Sequence, residues 1–120
     1  MEWSFDNSKS IWLQIAEKLR VMIVCGIYPM GERLPSVREL AAQAGVNPNT
    51  MQRALSQLEA EGLAESNRTA GRIVTTNSEI INNVRRTMAK DNVKAYFDAM
   101  REIGFDRERA IVMINESEEE

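Results

Sequence analysis

The sequence predicts a mainly α-helical fold with one small β-hairpin, and three observations lead there. Apolar residues recur at helical spacing from Ser8 and again from Asn77. Between those stretches, "SVRELAAQAGVNPNTMQRALSQLEAEGL" holds two short amphipathic segments joined by a turn containing Gly and Asn-Pro. After it, the β-prone runs "LAES" and "RIVTT" flank the turn-rich "NRTAG".

Taken in order, Ser8 to Cys25 forms the first helix. Ile11, Ile15, Leu19, Met22 and Ile23 fall on one face, Trp12 and Ala16 flank it, and Gly26 stops it. "IYPMGERLP" reads as a loop punctuated by Pro29, Gly31 and Pro35. Ser36-Val37-Arg38-Glu39 fits a capping box, in which Ser36 accepts from the Glu39 amide and Glu39 reaches back to the Ser36 amide. Leu40, Ala41 and Ala44 continue that short helix and Gly45 ends it. Asn47 then caps a third helix, with Pro48 at its first position, where a missing N–H is harmless. The third helix buries Met51, Ala54, Leu55 and Leu58, runs to about Glu61 and stops at Gly62. The two capped segments make a helix-turn-helix, and a hairpin follows.

From Asn77 the helical pattern returns. Ile80, Ile81, Val84 and Met88 make one stripe; Val93, Tyr96, Phe97, Met100 and Ile103 make another, closed by Gly104. Asp106 caps a last short helix through Ala110, Ile111 and Ile114, and "ESEEE" is a frayed, solvated end. The chain therefore divides into residues 1–76 and a helical tail, 77–120.

Composition removes several classes of function. With one cysteine and no histidine, neither an intrachain disulfide framework nor Cys/His zinc spacing is available. Histidine-dependent acid–base or nucleophilic chemistry is excluded as well. With no phosphate-cradling Gly loop and no framed carboxylate pair, the chain does not read as an enzyme, and no cofactor is expected. Cys25, inside "VMIVCG", reads as a buried or half-buried filler thiol. No apolar run approaches the ~20 residues of a membrane span, and the start lacks a signal-peptide layout. A reduced, cytoplasmic protein is expected.

Net charge is −3, which does not advertise a polyanionic partner. Within residues 33–72, however, Arg33, Arg38, Arg53, Arg68 and Arg72 face only Glu39, Glu59, Glu61 and Glu65. Opposite its apolar stripe the third helix carries Asn49, Arg53 and Ser56, flanked by Thr50 and Gln52. Asn and Gln pair with adenine edges, Arg with guanine, and a Thr methyl with thymine. Exposed N-terminal N–H groups suit phosphates. These first turns have the chemistry of a helix that enters a DNA major groove N-terminus first. Arg38 occupies a first turn, where the helix dipole disfavours a cation by roughly 0.3–1 kcal/mol; an anionic partner reverses that sign. Arg68 and Arg72 flank the hairpin tip, where they can reach DNA backbone or minor groove. Arg53 has a competing partner in Glu61 or another surface acid.

"ERLPSVRELAAQAGVNPNTMQRALSQLEAEGL" resembles the winged helix-turn-helix of GntR-family bacterial transcription regulators, over residues 8–76 with the "AGRIVT" wing included. The resemblance implies DNA contacts at Arg38, Asn47, Asn49, Thr50, Gln52 and Gly71. It departs in two places. Pro48 stands where some relatives have a basic contact residue, and Thr69 stands where many wings have a glycine, which implies a less tightly turned tip. The tail is too short for a metabolite pocket with its own core, so it resembles the YtrA-like branch, whose C-terminal helices serve dimerisation. The stripes at Ile80, Ile81, Val84 and Met88 and at Val93, Tyr96, Phe97, Met100 and Ile103 are then the dimerisation residues. The alternative packs the second stripe back on the first helix.

The expectation is a homodimeric regulator, a repressor, binding a pseudo-palindromic double-stranded DNA operator. The competing reading is a winged-helix module that binds protein. An effector ligand is not specified by the sequence.

Overall fold

The computed structural model describes residues 3–117; the last three residues of "ESEEE" lie outside the described residues. Five helices and one hairpin follow in the order α1 (Ile11–Val24), α2 (Val37–Ala44), α3 (Pro48–Ala60), β1 (Ala64–Asn67), β2 (Gly71–Val74), α4 (Ser78–Glu102) and α5 (Arg107–Glu116). They form two compact units, Met1–Asn83 and Val84–Glu120.

In the first unit α1 lies against α3. The fully buried residues Ile15, Leu19, Leu34, Leu40, Met51, Leu55, Leu58, Leu63 and Val74 come from α1, α2, α3 and β2 and from the segments that lead into α2 and β1. Arg20 on α1 clasps Glu61 at the end of α3 with both oxygens, at 2.7 Å each. α1 starts at Ile11 rather than Ser8. Asp6 Oδ1 accepts from the Ser8 amide at 2.9 Å and from the Ser8 hydroxyl, and the Lys9 amide donates to the Asp6 carbonyl; this Asx turn takes up the residues before the helix. Gln14 closes it, accepting from the Asp6 amide and donating to the Asp6 carbonyl.

Cys25 corrects its sequence reading: it is exposed. It follows the last residue of α1, as the C-cap, so its side chain leaves the apolar run in which it stands.

β1 and β2 pair antiparallel, with Ala64 opposite Val74 and Asn67 opposite Gly71. "IYPMGERLP", read as loop, contributes a third backbone segment. Val74 donates to the Glu32 carbonyl, Leu34 to that of Arg72, and Arg33 bridges Ile73. β2 is thus hydrogen-bonded on both edges, and Leu34 is carried into the core.

α4 is one continuous helix of 25 residues, so the two predicted stripes belong to a single element. Ile81 is buried within the first unit, and the Ile80 side chain lies over Gly62. In the second unit the Tyr96 hydroxyl donates to the Ala110 carbonyl at 2.6 Å. Tyr96 and Phe97 meet edge to face, and the Arg107 guanidinium covers the Phe97 ring at 4.5 Å. The two aromatic rings therefore serve the α4–α5 junction, with Ala110 fully buried. Asp106 caps α5 through the Arg109 amide, as its sequence predicts.

Candidate nucleic-acid interface

The site is built from the turn outward. Ser36 accepts from the Glu39 amide at 3.1 Å and Glu39 from the Ser36 amide at 3.3 Å, so the capping box fixes where α2 starts. Arg38 then lies exposed in the first turn of α2. Gly45 ends α2 at φ +69°, a left-handed conformation that lets the chain reverse within a few residues. Asn47 Oδ1 accepts from the Asn49 amide at 2.8 Å, and Pro48 opens α3. Asn47, Asn49, Gln52, Arg53 and Ser56 are exposed along one side of α3, while Thr50 is half-buried.

Arg53 does not pair with Glu61, whose oxygens are taken by Arg20 and Gln57. Its guanidinium stacks instead 4.3 Å from the centre of the Trp12 ring. Sequence reading gave Trp12 only a flank of the α1 core face; the aromatic was visible, but its partner lies on another helix.

The hairpin tip is tied by one side chain. Asn67 Oδ1 accepts from the Thr69 and Ala70 amides and from the Thr69 hydroxyl, at 2.9–3.1 Å. Thr69 is therefore accommodated without a left-handed backbone at that position. Gly71 takes that conformation, at φ +78°, and a Cβ there would meet Arg33 Nε at 3.8 Å. Arg68 is exposed in the turn. Arg72 points back to α3: its Nε donates to Glu59 Oε1 at 2.7 Å and its Nη1 to Gln52 Oε1 at 3.4 Å. The same Glu59 oxygen accepts from the Ser66 hydroxyl at 2.6 Å. The Ser66 bond first, and the Arg72 guanidinium after it, outweigh partial burial and hold Glu59 below the usual carboxylate range.

Arg33, Ser36, Asn67, Gly71 and Arg72 line a shallow cavity of about 320 Å³ between the start of α2 and the hairpin. Arg33 was legible only as one cation in an arginine-rich stretch; the β2 pairing that puts it beside Gly71 has no local sequence mark. Among the described residues, no group of three or more His, Cys, Asp or Glu side chains is arranged to hold a metal ion. No helix among them is long and apolar enough to cross a membrane.

The second unit carries a different surface. Val93 on α4 and Ile103 just after it are exposed, and Ile111, Val112, Met113 and Ile114 are each at least 40% exposed on α5. Met88, Tyr96, Phe97 and Met100 are half-buried, as is Val84. Val112 and Met113 are additions to the residues that helical spacing singles out.

Comparison with known proteins places this geometry. Residues 12–74 match the model of the bacterial regulatory proteins of the gntR family. The chain is 34% identical over 111 residues to YhcF, an uncharacterized HTH-type transcriptional regulator of Bacillus subtilis, covering 92% of each. It is 36% identical over 89 residues to the HTH-type transcriptional repressor YtrA of the same organism, covering 73% of this chain and 68% of YtrA. A GntR family transcriptional regulator from Listeria monocytogenes superposes with a TM-score of 0.86 at 34% identity, over 95% of this chain and 100% of that one. The AraR DNA-binding domain, solved in complex with operator ORE1, superposes with a TM-score of 0.51 at 28% identity, over 53% of this chain and 78% of that one.

Proposed function

The chain belongs to the gntR family of bacterial regulatory proteins, with YtrA-like relatives, and is a DNA-binding transcription regulator; from that premise we propose that it is a homodimeric repressor of a pseudo-palindromic operator. The observation that carries the reading is the outer side of α3. A helix whose exposed side bears Asn49, Gln52, Arg53 and Ser56, and whose N-terminus is fixed by Asn47 and Pro48, offers donors and acceptors where a protein surface usually offers solvated charge.

In this reading Asn47, Asn49 and Thr50 meet phosphate and base edges at the entry to the major groove, and Gln52 reads a base. Arg38 in α2 adds a contact from the neighbouring helix. Arg68 and Gly71 bring the wing to the backbone, Gly71 in a left-handed conformation that L side chains rarely adopt. Arg53, stacked on Trp12, is presented with its side chain already ordered.

The dimer follows from the tail. Exposed Val93, Ile103 and Ile111–Ile114 make an apolar surface that a lone chain leaves in water. A two-fold partner buries it and presents two α3 helices to two half-sites. The dimerisation set is then Val84, Met88, Val93 and Met100 of α4 and Ile103 just after it, together with the α5 residues. Ile80, Ile81, Tyr96 and Phe97 support it from within each chain. A repressor role draws on YtrA, which carries that name. Selection of binding sites from random DNA tests the reading: a two-fold symmetric sequence is expected, and enrichment of no sequence contradicts it.

A further inference from the structure

Arg72 is placed in the wing, yet its charge is directed inward. Its side chain is 16% exposed, and Nε is engaged by Glu59, which is 30% exposed. Glu59 holds both hairpin strands to α3, through Ser66 of β1 and Arg72 of β2. An arginine neutralised in this way is a poor phosphate contact. Its other bond has a different consequence: Nη1 donates to Oε1 of Gln52, the exposed amide on the outer side of α3.

A glutamine reads adenine with both ends of its amide, Oε1 accepting from N6–H and Nε2 donating to N7. The Arg72 bond turns Oε1 toward the wing and occupies one of its two lone pairs, which leaves the Nε2 end of the amide as the one turned to a base. Nε2 donates to the Ser56 hydroxyl at 3.5 Å, which uses one of its two protons and leaves the other for a base. A donor alone matches guanine, whose major-groove edge offers N7 and O6 as acceptors. Adenine sets its own N6–H₂ donor beside N7. We propose that Arg72 is a specificity-determining positioning residue, which by holding Oε1 makes Gln52 a donor-only reader that selects guanine over adenine. The proposal rests on the DNA-binding reading of α3.

The test is binding-site selection with the intact chain, Arg72→Leu, Arg72→Lys, Gln52→Ala and the double variant Gln52→Ala/Arg72→Leu. The unaltered chain is expected to prefer guanine about fivefold over adenine at one position per half-site, and Gln52→Ala to lose that preference. Arg72→Leu frees Oε1 and moves the preference to adenine. Lysine at 72 keeps the ion pair with Glu59 without the forked donor that reaches Gln52, so Arg72→Lys shows the same shift in a chain that keeps its wing. In the Gln52→Ala background, Arg72→Leu changes no base preference. Weakened binding to all sequences with unchanged preferences in Arg72→Lys and Arg72→Leu overturns the proposal, because Arg72 is then a backbone contact. A shift that persists without Gln52 overturns it too, as does an adenine preference in the unaltered chain. If the unaltered chain selects no sequence, the DNA-binding reading fails first and takes this one with it.

Discussion

Arg20 and Glu61 join the first and third helices by a two-point ion pair, Nε to Oε1 and Nη2 to Oε2, both 2.7 Å. The side chains are 17% and 23% exposed, so solvent screens the pair only partly. Gln57 also donates to Glu61, at 2.9 Å. The pair ties α3 to α1 at the end opposite Asn47 and Pro48. Arg20→Ala is expected to destabilise the chain by about 1–3 kcal/mol in urea melts, chiefly by leaving Glu61 without its main partner. An unchanged midpoint would mean that water replaces the guanidinium at no cost.

The same pair gives a pH dependence. Burial raises the Glu61 carboxyl, but the bonds from Arg20 and Gln57 outweigh it, and the net position is below the ordinary 4.5. Glu59 is also held below 4.5, by Ser66 and then Arg72. A lowered folded-state value means that the unfolded chain takes up protons first. Both contributions are therefore fully present above pH 4.5 and are lost as pH falls through the lower folded values. Urea midpoints should be flat from neutral pH to about 5 and decline below it, and Glu61→Gln should flatten part of that decline. A decline of the same steepness in Glu61→Gln counts against the pair.

Asn47→Ala removes the acceptor of the Asn49 amide and should cost about 0.5–2 kcal/mol of stability. A loss of operator affinity beyond that expected from the unfolded fraction then reports a DNA contact by Asn47 itself. Stability equal to the unaltered chain would show that Pro48 alone is enough to start α3.

Arg38→Ala tests the second helix. The side chain is exposed and stands at the dipole-disfavoured end of α2. Its loss should leave stability nearly unchanged or slightly raised, and cost about 1–3 kcal/mol of operator binding per subunit with discrimination lost at one base pair. Uniformly weaker binding with intact base preferences assigns Arg38 to phosphate.

The helix-turn-helix is legible in the sequence because each boundary carries a residue with one local task. Ser36 and Glu39 cap α2, Gly45 reverses the chain, and Asn47 and Pro48 start α3; each acts within four residues of its own position. What is not legible depends on partners far along the chain. Nothing in "IYPMGERLP" marks Arg33 for pairing with Ile73, and nothing in α3 marks Arg53 for Trp12 or Glu59 for Arg72. Cys25 misleads because it continues an apolar run one residue past the end of its helix. Ile111–Ile114 hides its exposure for a different reason. Four consecutive apolar residues point to every side of a helix, so spacing selects Ile111 and Ile114 and passes over Val112 and Met113.

The tail variants follow from those exposures. Phe97 is engaged by Tyr96 and Arg107 within its own chain, so its replacement damages the α4–α5 junction as well as any partner surface. Ile103→Glu and Ile114→Glu are cleaner, since Ile103 is 69% and Ile114 50% exposed. Each should keep the helical circular dichroism of the chain while producing monomers. Operator affinity should then fall by at least about tenfold, because the second half-site no longer engages at high effective concentration. The slope of log affinity against log salt, about −0.9 per neutralised phosphate, should drop by about half. Variants that remain dimeric would move the interface away from these residues.

The most direct measurement is sedimentation of the intact chain with a single selected operator duplex at micromolar concentration. The account predicts a dimer in the free protein and two chains per duplex, with no stable complex of one chain on one duplex. A free monomer that binds its operator tightly at one chain per duplex would contradict it.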